Sequence, residues 1–375
     1  MIRVAINGYG RIGRVAHRII LQKHAQEIEV VAINAGSSTD IKGWMYLLRY
    51  DSSYGILQNH TLNFQFPLLG GQAISNFQSN PNDQSSNVKT RKDYIGLLIV
   101  DGKEIPVFSQ KDPTLLPWKD LNVDVVIEST GHFLTEEKLK THLTAGAKKV
   151  ILSAPIKEGN VGTFILSVND KDYKGESLIN NASCTTNCIT PVARIMVDHF
   201  GVEKAMMTTI HGYTSDQRLQ DGGHKDYRRA RAAGQNIVPT STGATIAASA
   251  AVPELKGIFN GLAIRVPVPV GSLSDFTFLL KKNTTVEEIN EIFRQEARNP
   301  IYNNILEVTE DPIVSSDIIG NSHSAIVDLS LTQVVGGNMA KVVAWYDNEF
   351  GYANRLVEEV IMVGSPAGEA GRAQV

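Results

Sequence analysis

The segment from Ile2 to Arg14 limits what this chain can fold into more than any other. Ile2-Arg3-Val4-Ala5-Ile6 reads as a buried strand, and Asn7-Gly8-Tyr9-Gly10-Arg11-Ile12-Gly13-Arg14 follows at once. In that setting Gly8-x-Gly10-x-x-Gly13 has a physical reading. Its glycines allow a tight turn, let the backbone approach a pyrophosphate and let the next helix pack on the strand, while the helix N-terminus receives negative charge. The pattern alone is weak, because an ordinary glycine-rich turn also satisfies it. Here Val15-Ala16-His17-Arg18-Ile19-Ile20-Leu21 continues as an amphipathic helix and Ile28-Glu29-Val30-Val31-Ala32-Ile33-Asn34 as a second strand. The expectation is an α/β, Rossmann-type doubly wound parallel sheet, with Asn7, Gly8, Gly10, Arg11, Ile12 and Gly13 at a dinucleotide.

A site that prefers NAD usually ends this second strand with an acid on the ribose hydroxyls. The chain has Asn34-Ala35-Gly36-Ser37-Ser38-Thr39 instead, and the first acid is Asp40. Without the carboxylate nothing repels a 2′-phosphate, and small hydroxyl side chains such as Ser37 and Ser38 can donate to one. The expectation is use of NAD or NADP, with dual specificity.

At 375 residues, 42% hydrophobic and 20% charged, the chain is long enough for two domains with full cores. A net charge of −3 and the lack of a basic run argue against nucleic acid, and no long apolar stretch points to a membrane. Polar residues interleaved from Arg3 to Arg14 argue against a signal peptide, which makes the cytoplasm the default. Up to about residue 150 strand-like runs such as Val123 to Glu128 and Lys149 to Ser153 alternate with helical ones such as Thr135 to Lys140. Beyond Cys184, longer strand-like runs (Lys204 to Thr209, Gly261 to Val268, Ser274 to Leu280) and a helix near Val286 to Phe293 suggest an α+β domain with a mixed sheet. The expected division is a dinucleotide-binding domain at 1–183, a catalytic domain at 184–348 and a segment 349–375 whose helix returns to the first domain. The stretch from Leu69 to Lys92 has little periodicity and reads as a solvated insertion, ahead of a hairpin at Tyr94 to Phe108 turning on Asp101-Gly102. Residues from Gly364 on read as a frayed tail.

Ser183-Cys184-Thr185-Thr186-Asn187-Cys188 and Thr209-Ile210-His211-Gly212-Tyr213-Thr214 carry the chemistry. A Cys-x-x-x-Cys pair is usually packing or half a metal site, yet the paired ligands that zinc needs are missing nearby, so no metal is expected. Cys184 reads as a thiol nucleophile, Cys188 as packing and His211 as the base. A neighbouring imidazolium or a helix N-terminus is expected to lower the thiol's pKa.

These motifs, with Asn236-Ile237-Val238-Pro239-Thr240-Ser241-Thr242-Gly243-Ala244, Arg265-Val266-Pro267 and Trp345 to Tyr352, resemble the phosphorylating glyceraldehyde-3-phosphate dehydrogenase family across nearly the whole chain and in order. The resemblance implies that Cys184 attacks the aldehyde, that His211 takes the hydroxyl proton as hydride leaves, and that inorganic phosphate cleaves the thioester, reversibly, in glycolysis and gluconeogenesis. It implies that Thr214 and Arg265 hold the substrate phosphate and that Ser183, Thr185, Thr242 and Gly243 meet the attacking phosphate. Asn348 would orient the nicotinamide carboxamide, and Thr130, Gly131, Ser153 and Tyr352 would line the cofactor. A homotetramer is implied as well.

Departures from the family pattern are specific. Val268 and Val270 replace a polar pair, and Lys111 stands where arginine is common, cationic but unable to make a bidentate contact. The segment from Thr214 to Arg231 resembles the loop of the photosynthetic, NADP-using branch, but with Gly223 where that branch has serine; Ser37, Ser38 and Lys111 could compensate. The charge run Lys225 to Arg231 reads as a solvated face or an interface. Two alternatives stay open: an erythrose-4-phosphate dehydrogenase, against which Thr214 argues, and a non-catalytic redox sensor or scaffold using Cys184.

Overall fold

The computed structural model describes residues 1–67 and 88–365. Most of the expected insertion from Leu69 and the tail from 366 lie outside these residues. The chain forms two compact units, one of Met1–Gly162, Gly175–Asn180 and the stretch from Leu356, the other of Thr163–Lys174 and Asn181–Arg355.

The first unit is built on a nine-stranded sheet. Its order is Gly162–Thr163, Leu178–Asn180, Lys149–Leu152, Val125–Glu128, Ile2–Asn7, Ile28–Asn34, Lys103–Phe108, Tyr94–Val100, Leu62–Gln65. Ile2–Asn7 pairs in parallel with strands on both sides, Ala5 opposite Ala32 and Val126. Covered on both faces, these strands read as near-continuous apolar runs, and Val4, Ala5, Ile6, Val125, Val126 and Ile127 are fully buried. The hairpin from Tyr94 to Phe108 turns where expected, with Asp101 at φ 50° and Gly102 at φ 81°. Two positive φ values give the turn a twist that suits the strands it joins.

The second unit carries an eight-stranded mixed sheet, ordered Val238–Ser241, Phe259–Val266, Val202–Gly212, Ser272–Leu280, Met339–Tyr346, Ala325–Asp328, Leu306–Thr309, with Gln333–Val335 paired to Met339–Tyr346. Val202–Gly212 runs parallel to Phe259–Val266, which sets His211 opposite Arg265. Helices Cys184–Phe200 and Val286–Glu296 bury Ile189, Val192, Met196, Phe200, Ile289 and Phe293 in one core with Phe276 and Phe278 of the sheet.

The contact limits of the two units, at 180/181 and 355/356, lie a few residues from the expected 183/184 and 348/349. Asn181 and Ala182 are tied into the second unit, because the Asn187 amide donates to the Asn181 carbonyl at 3.0 Å and the Tyr352 hydroxyl to the Ala182 carbonyl at 3.4 Å. The last helix, Phe350–Gly364, is shared between the units: its first turns stay with the second, where buried Arg355 donates to the Asn304 carbonyl. Among the described residues no helix is long and apolar enough to cross a membrane, and no group of three His, Cys, Asp or Glu could hold a metal.

Candidate active site

The turn after Ile2–Asn7 has the shape its glycines predict. Gly8 sits at φ +96°, where a Cβ would lie 2.6 Å from the Thr130 nitrogen, and a Cβ on Gly13 would lie 2.3 Å from the Gly8 carbonyl oxygen. Helix Arg11–Lys23 starts at Gly10, which supplies no side-chain cap, and nothing stands within 4 Å of where a Gly10 Cβ would be. Uncapped N–H groups facing open space suit a pyrophosphate, so these residues fit the dinucleotide. The Arg11 side chain pairs with Asp51 at 2.5 Å, leaving its backbone and that of Ile12 as what they offer an anion.

A buried network that sequence reasoning missed holds this turn. Glu128, fully buried, accepts from Asn7 Nδ2 (2.5 Å) and His142 Nε2 (3.0 Å) on one oxygen, and from the Thr130 N–H (2.8 Å) and hydroxyl (2.5 Å) on the other. The Trp118 indole donates to His142 Nδ1 at 3.1 Å, so the imidazole carries its proton on Nε2. Asn7 Oδ1 in turn accepts from Asn34 Nδ2 at 2.6 Å, and Asn34 Oδ1 accepts the Gln110 N–H at 3.0 Å. Asn7, Asn34 and Thr130 are therefore fixed in rotamer and amide orientation. Gly131 takes a positive φ of 73°, and the Ser153 N–H extends the ladder to the Glu128 carbonyl at 2.9 Å.

The other end of the cradle follows Asn34. The Ala35 N–H donates to the Phe108 carbonyl, Ala35 accepts the Ser38 N–H at 3.2 Å, and Ser37 and Lys111 are exposed. No carboxylate occupies the strand end, as its sequence requires.

In the second unit helix Cys184–Phe200 begins at the candidate nucleophile, Cys184. Its N-cap Ser183 accepts the Thr186 N–H at 3.1 Å. Cys184 Sγ stands 3.3 Å from His211 Nε2, while His211 Nδ1 lies 2.6 Å from the Gly212 carbonyl oxygen. That carbonyl only accepts and favours a proton on Nδ1, whereas Arg265 Nη1, 3.0 Å from the same nitrogen, only donates and opposes it; with the proton on Nδ1, Nε2 can take the thiol proton. The expected imidazolium is absent: burial, then the Arg265 guanidinium, push the pKa of His211 down to about 3. Burial likewise pushes the Cys184 thiol up, opposed by Arg265 and by hydrogen bonds from Thr185. For the thiol this direction is opposite to the lowering expected from its motif. The residue is partly open to solvent, which limits the rise. Cys188 is buried and serves packing.

Arg265 Nη1 donates to Thr214 Oγ1 at 3.1 Å and to the Gly212 carbonyl at 3.2 Å. The Thr214 hydroxyl donates to Asp216, which pairs with Arg229 at 2.5 Å. Burial alone would raise Asp216; the Thr214 hydroxyl and Arg229 outweigh it and hold the carboxyl below its usual range. Arg229 also donates to Thr240 Oγ1 at 3.0 Å, so this member of the charge run is drawn into the site, whereas Arg231 stays exposed and pairs with Asp221. Thr242 accepts the Ala244 N–H at 3.2 Å beside Gly243, the open N-cap of helix Ala244–Ala251. The Thr185 hydroxyl also meets the Tyr346 hydroxyl at 2.9 Å, which in turn meets Thr209 at 2.8 Å. Asn348 Oδ1 receives the Gly271 N–H and the Ser272 hydroxyl, both at 3.0 Å, which turns Nδ2 into its available donor. Val270 is buried, and the Val268 carbonyl accepts the Tyr213 N–H at 3.0 Å; apolar side chains satisfy both positions.

The profile of the glyceraldehyde 3-phosphate dehydrogenase NAD binding domain matches residues 2–83 and 82–136, and that of the C-terminal domain of the same family matches residues 183–348. The chain belongs to the glyceraldehyde 3-phosphate dehydrogenase family. Membership makes it an NAD-dependent oxidoreductase with a Rossmann domain. Similar proteins include the glyceraldehyde-3-phosphate dehydrogenase of Mycobacterium avium, 47% identical over 367 residues that cover 97% of this chain and 98% of the relative. That of Borreliella burgdorferi is 45% identical over 364 residues, 95% of this chain and 98% of the relative. Glyceraldehyde-3-phosphate dehydrogenase 2 of Streptomyces avermitilis is 43% identical over 369 residues, 97% and 99%. Within this family member, Glu128, His142 and Trp118 are supporting residues that no motif announced, and Tyr346 and Thr209, though inside quoted motifs, had no role read from them, since each acts through partners distant in sequence.

Proposed function

We propose that the protein oxidises glyceraldehyde 3-phosphate to 1,3-bisphosphoglycerate, reversibly, using NAD or NADP and inorganic phosphate. The observation that carries this reading is the 3.3 Å approach of Cys184 Sγ to His211 Nε2, with the Arg265–Thr214 pair beside it as an anion anchor.

Cys184 Sγ adds to the aldehyde carbon while its proton passes to His211 Nε2 and on to the carbonyl oxygen, giving a thiohemiacetal. His211 then takes the hydroxyl proton as hydride departs, which leaves a thioester. Bound nicotinamide supplies the hydride acceptor. A phosphate oxygen attacks the thioester carbonyl, the C–S bond breaks and the Cys184 thiolate is released. Ser183, Thr185, Thr242, Gly243 and Arg229 provide donors for that phosphate, while Thr214 and Arg265 hold the phosphate of the substrate. A substrate phosphate on Arg265 also offsets the charge that suppresses the base, so the substrate raises the proton affinity of His211 as it binds. Asn348, Thr130, Gly131, Ser153 and Tyr352 serve the cofactor. We take the first unit as cofactor-binding and the second as catalytic, in a cytoplasmic homotetramer.

The test is the initial rate of nicotinamide reduction with glyceraldehyde 3-phosphate, run with NAD and with NADP, each with and without phosphate. Turnover that requires phosphate is expected with both cofactors. Turnover without phosphate, or preference for erythrose 4-phosphate in the same assay, overturns the reading.

A further inference from the structure

The loop that replaces the usual ribose acid is held by a residue that no cofactor motif contains. Helix Ile41–Arg49 is capped by Asp40, whose carboxylate accepts the Gly43 N–H at 2.8 Å. That contact is tight, since a Cβ on Gly43 would lie 2.1 Å from Asp40 Oδ2. The nearest acid is thus spent on the helix. One turn on, the Trp44 indole N–H donates to Ser38 Oγ at 3.0 Å, and the Asp40 backbone N–H reaches the same oxygen at 3.4 Å. Trp44 is itself fixed by the glycine-rich turn: its ring meets Tyr9 edge-on at 6.0 Å and the Arg14 guanidinium at 5.6 Å.

A hydroxyl has two lone pairs and one proton. With two donors on its oxygen, Ser38 keeps only its proton to offer a ligand. We propose that Trp44 is a positioning residue that holds Ser38 as an obligatory hydrogen-bond donor and thereby favours a cofactor carrying a 2′-phosphate. A ribose hydroxyl can donate or accept and gains little from a fixed donor. A phosphate only accepts, and gains the whole bond. The inference rests on the reading that NADP is used.

The experiment is calorimetric titration of the full chain with adenosine 2′,5′-bisphosphate and with 5′-AMP, on the wild type and on Trp44→Phe, Ser38→Ala and the double variant. Phenylalanine keeps an aromatic ring beside Tyr9 and Arg14 while removing the N–H together with part of the indole. One hydrogen bond of ordinary net strength corresponds to about 3- to 10-fold in affinity. That loss is expected for the bisphosphate with Trp44→Phe and with Ser38→Ala, no larger in the double variant, and with 5′-AMP unchanged. Equal weakening of both ligands would reduce Trp44 to a packing role and overturn the proposal, as would losses that add in the double variant or no loss at all. A wild type that does not prefer the bisphosphate overturns NADP use together with the proposal; a preference that survives Trp44→Phe overturns the proposal alone.

Discussion

In the proposed mechanism His211 is a base made weak by burial and by Arg265, and strengthened when the substrate phosphate meets Arg265. Replacing it with asparagine removes the acceptor for the thiol and hydroxyl protons, and kcat should fall by about 10²- to 10⁴-fold with little change in KM, read from steady-state rates. Arg265→Gln removes one guanidinium from the anion pair. A charged hydrogen bond contributes about 1.5–3 kcal/mol, so KM for the phosphorylated aldehyde should rise at least tenfold. The same variant lifts the charge that depresses His211, and its imidazole should titrate higher by NMR; a base that titrates unchanged would mean burial alone sets it. The pairing of Cys184 with His211, which stand 3.3 Å apart, was expected from their motifs. The brace around them was not, because Thr185 and Tyr346 lie 161 residues apart and only the sheet brings them together.

At the scale of elements, the cradle depends on one carboxylate. Glu128→Gln keeps the shape and converts one acceptor oxygen into a donor facing donors. Stability in urea should drop by roughly 2 kcal/mol, and KM for NAD and NADP should rise together, since Asn7 and Thr130 lose a shared anchor. A variant that binds both cofactors normally would show that Glu128 supports the fold alone. Sequence periodicity located the main strands and helices, among them Val286–Glu296 and Glu136–Thr144, whose N-caps Thr285 and Thr135 the structure adds. It did not reveal the edge strand Gly162–Thr163, whose two residues carry no period, or the split of the last helix, which buried contacts decide.

For the whole molecule, buried histidines set the response to acid. Burial pushes His17 down to about 3, as burial and Arg265 do His211. Below about pH 6.5 the unfolded chain takes up protons that these folded sites refuse until about pH 3, so stability falls as pH falls through that window. Each group contributes roughly 1.4 kcal/mol per pH unit. His17→Gln should flatten the fall by one proton's worth, measured as unfolding free energy between pH 6 and 4; an unchanged slope would mean His17 is protonated in the fold. Composition and the glycine turn indicated a two-domain α/β chain, while its exact partition depended on Asn181 and Arg355, whose partners a linear reading cannot supply.

The parallel register that sets His211 opposite Arg265 ties the proposed proton acceptor and the proposed anion anchor to one rung of the ladder. Neither can drift without the other, so no loop closure is needed to bring them together. Denaturant should therefore erase turnover and the β-sheet signal of this unit at one midpoint, leaving no window in which the protein is folded but catalytically disarmed.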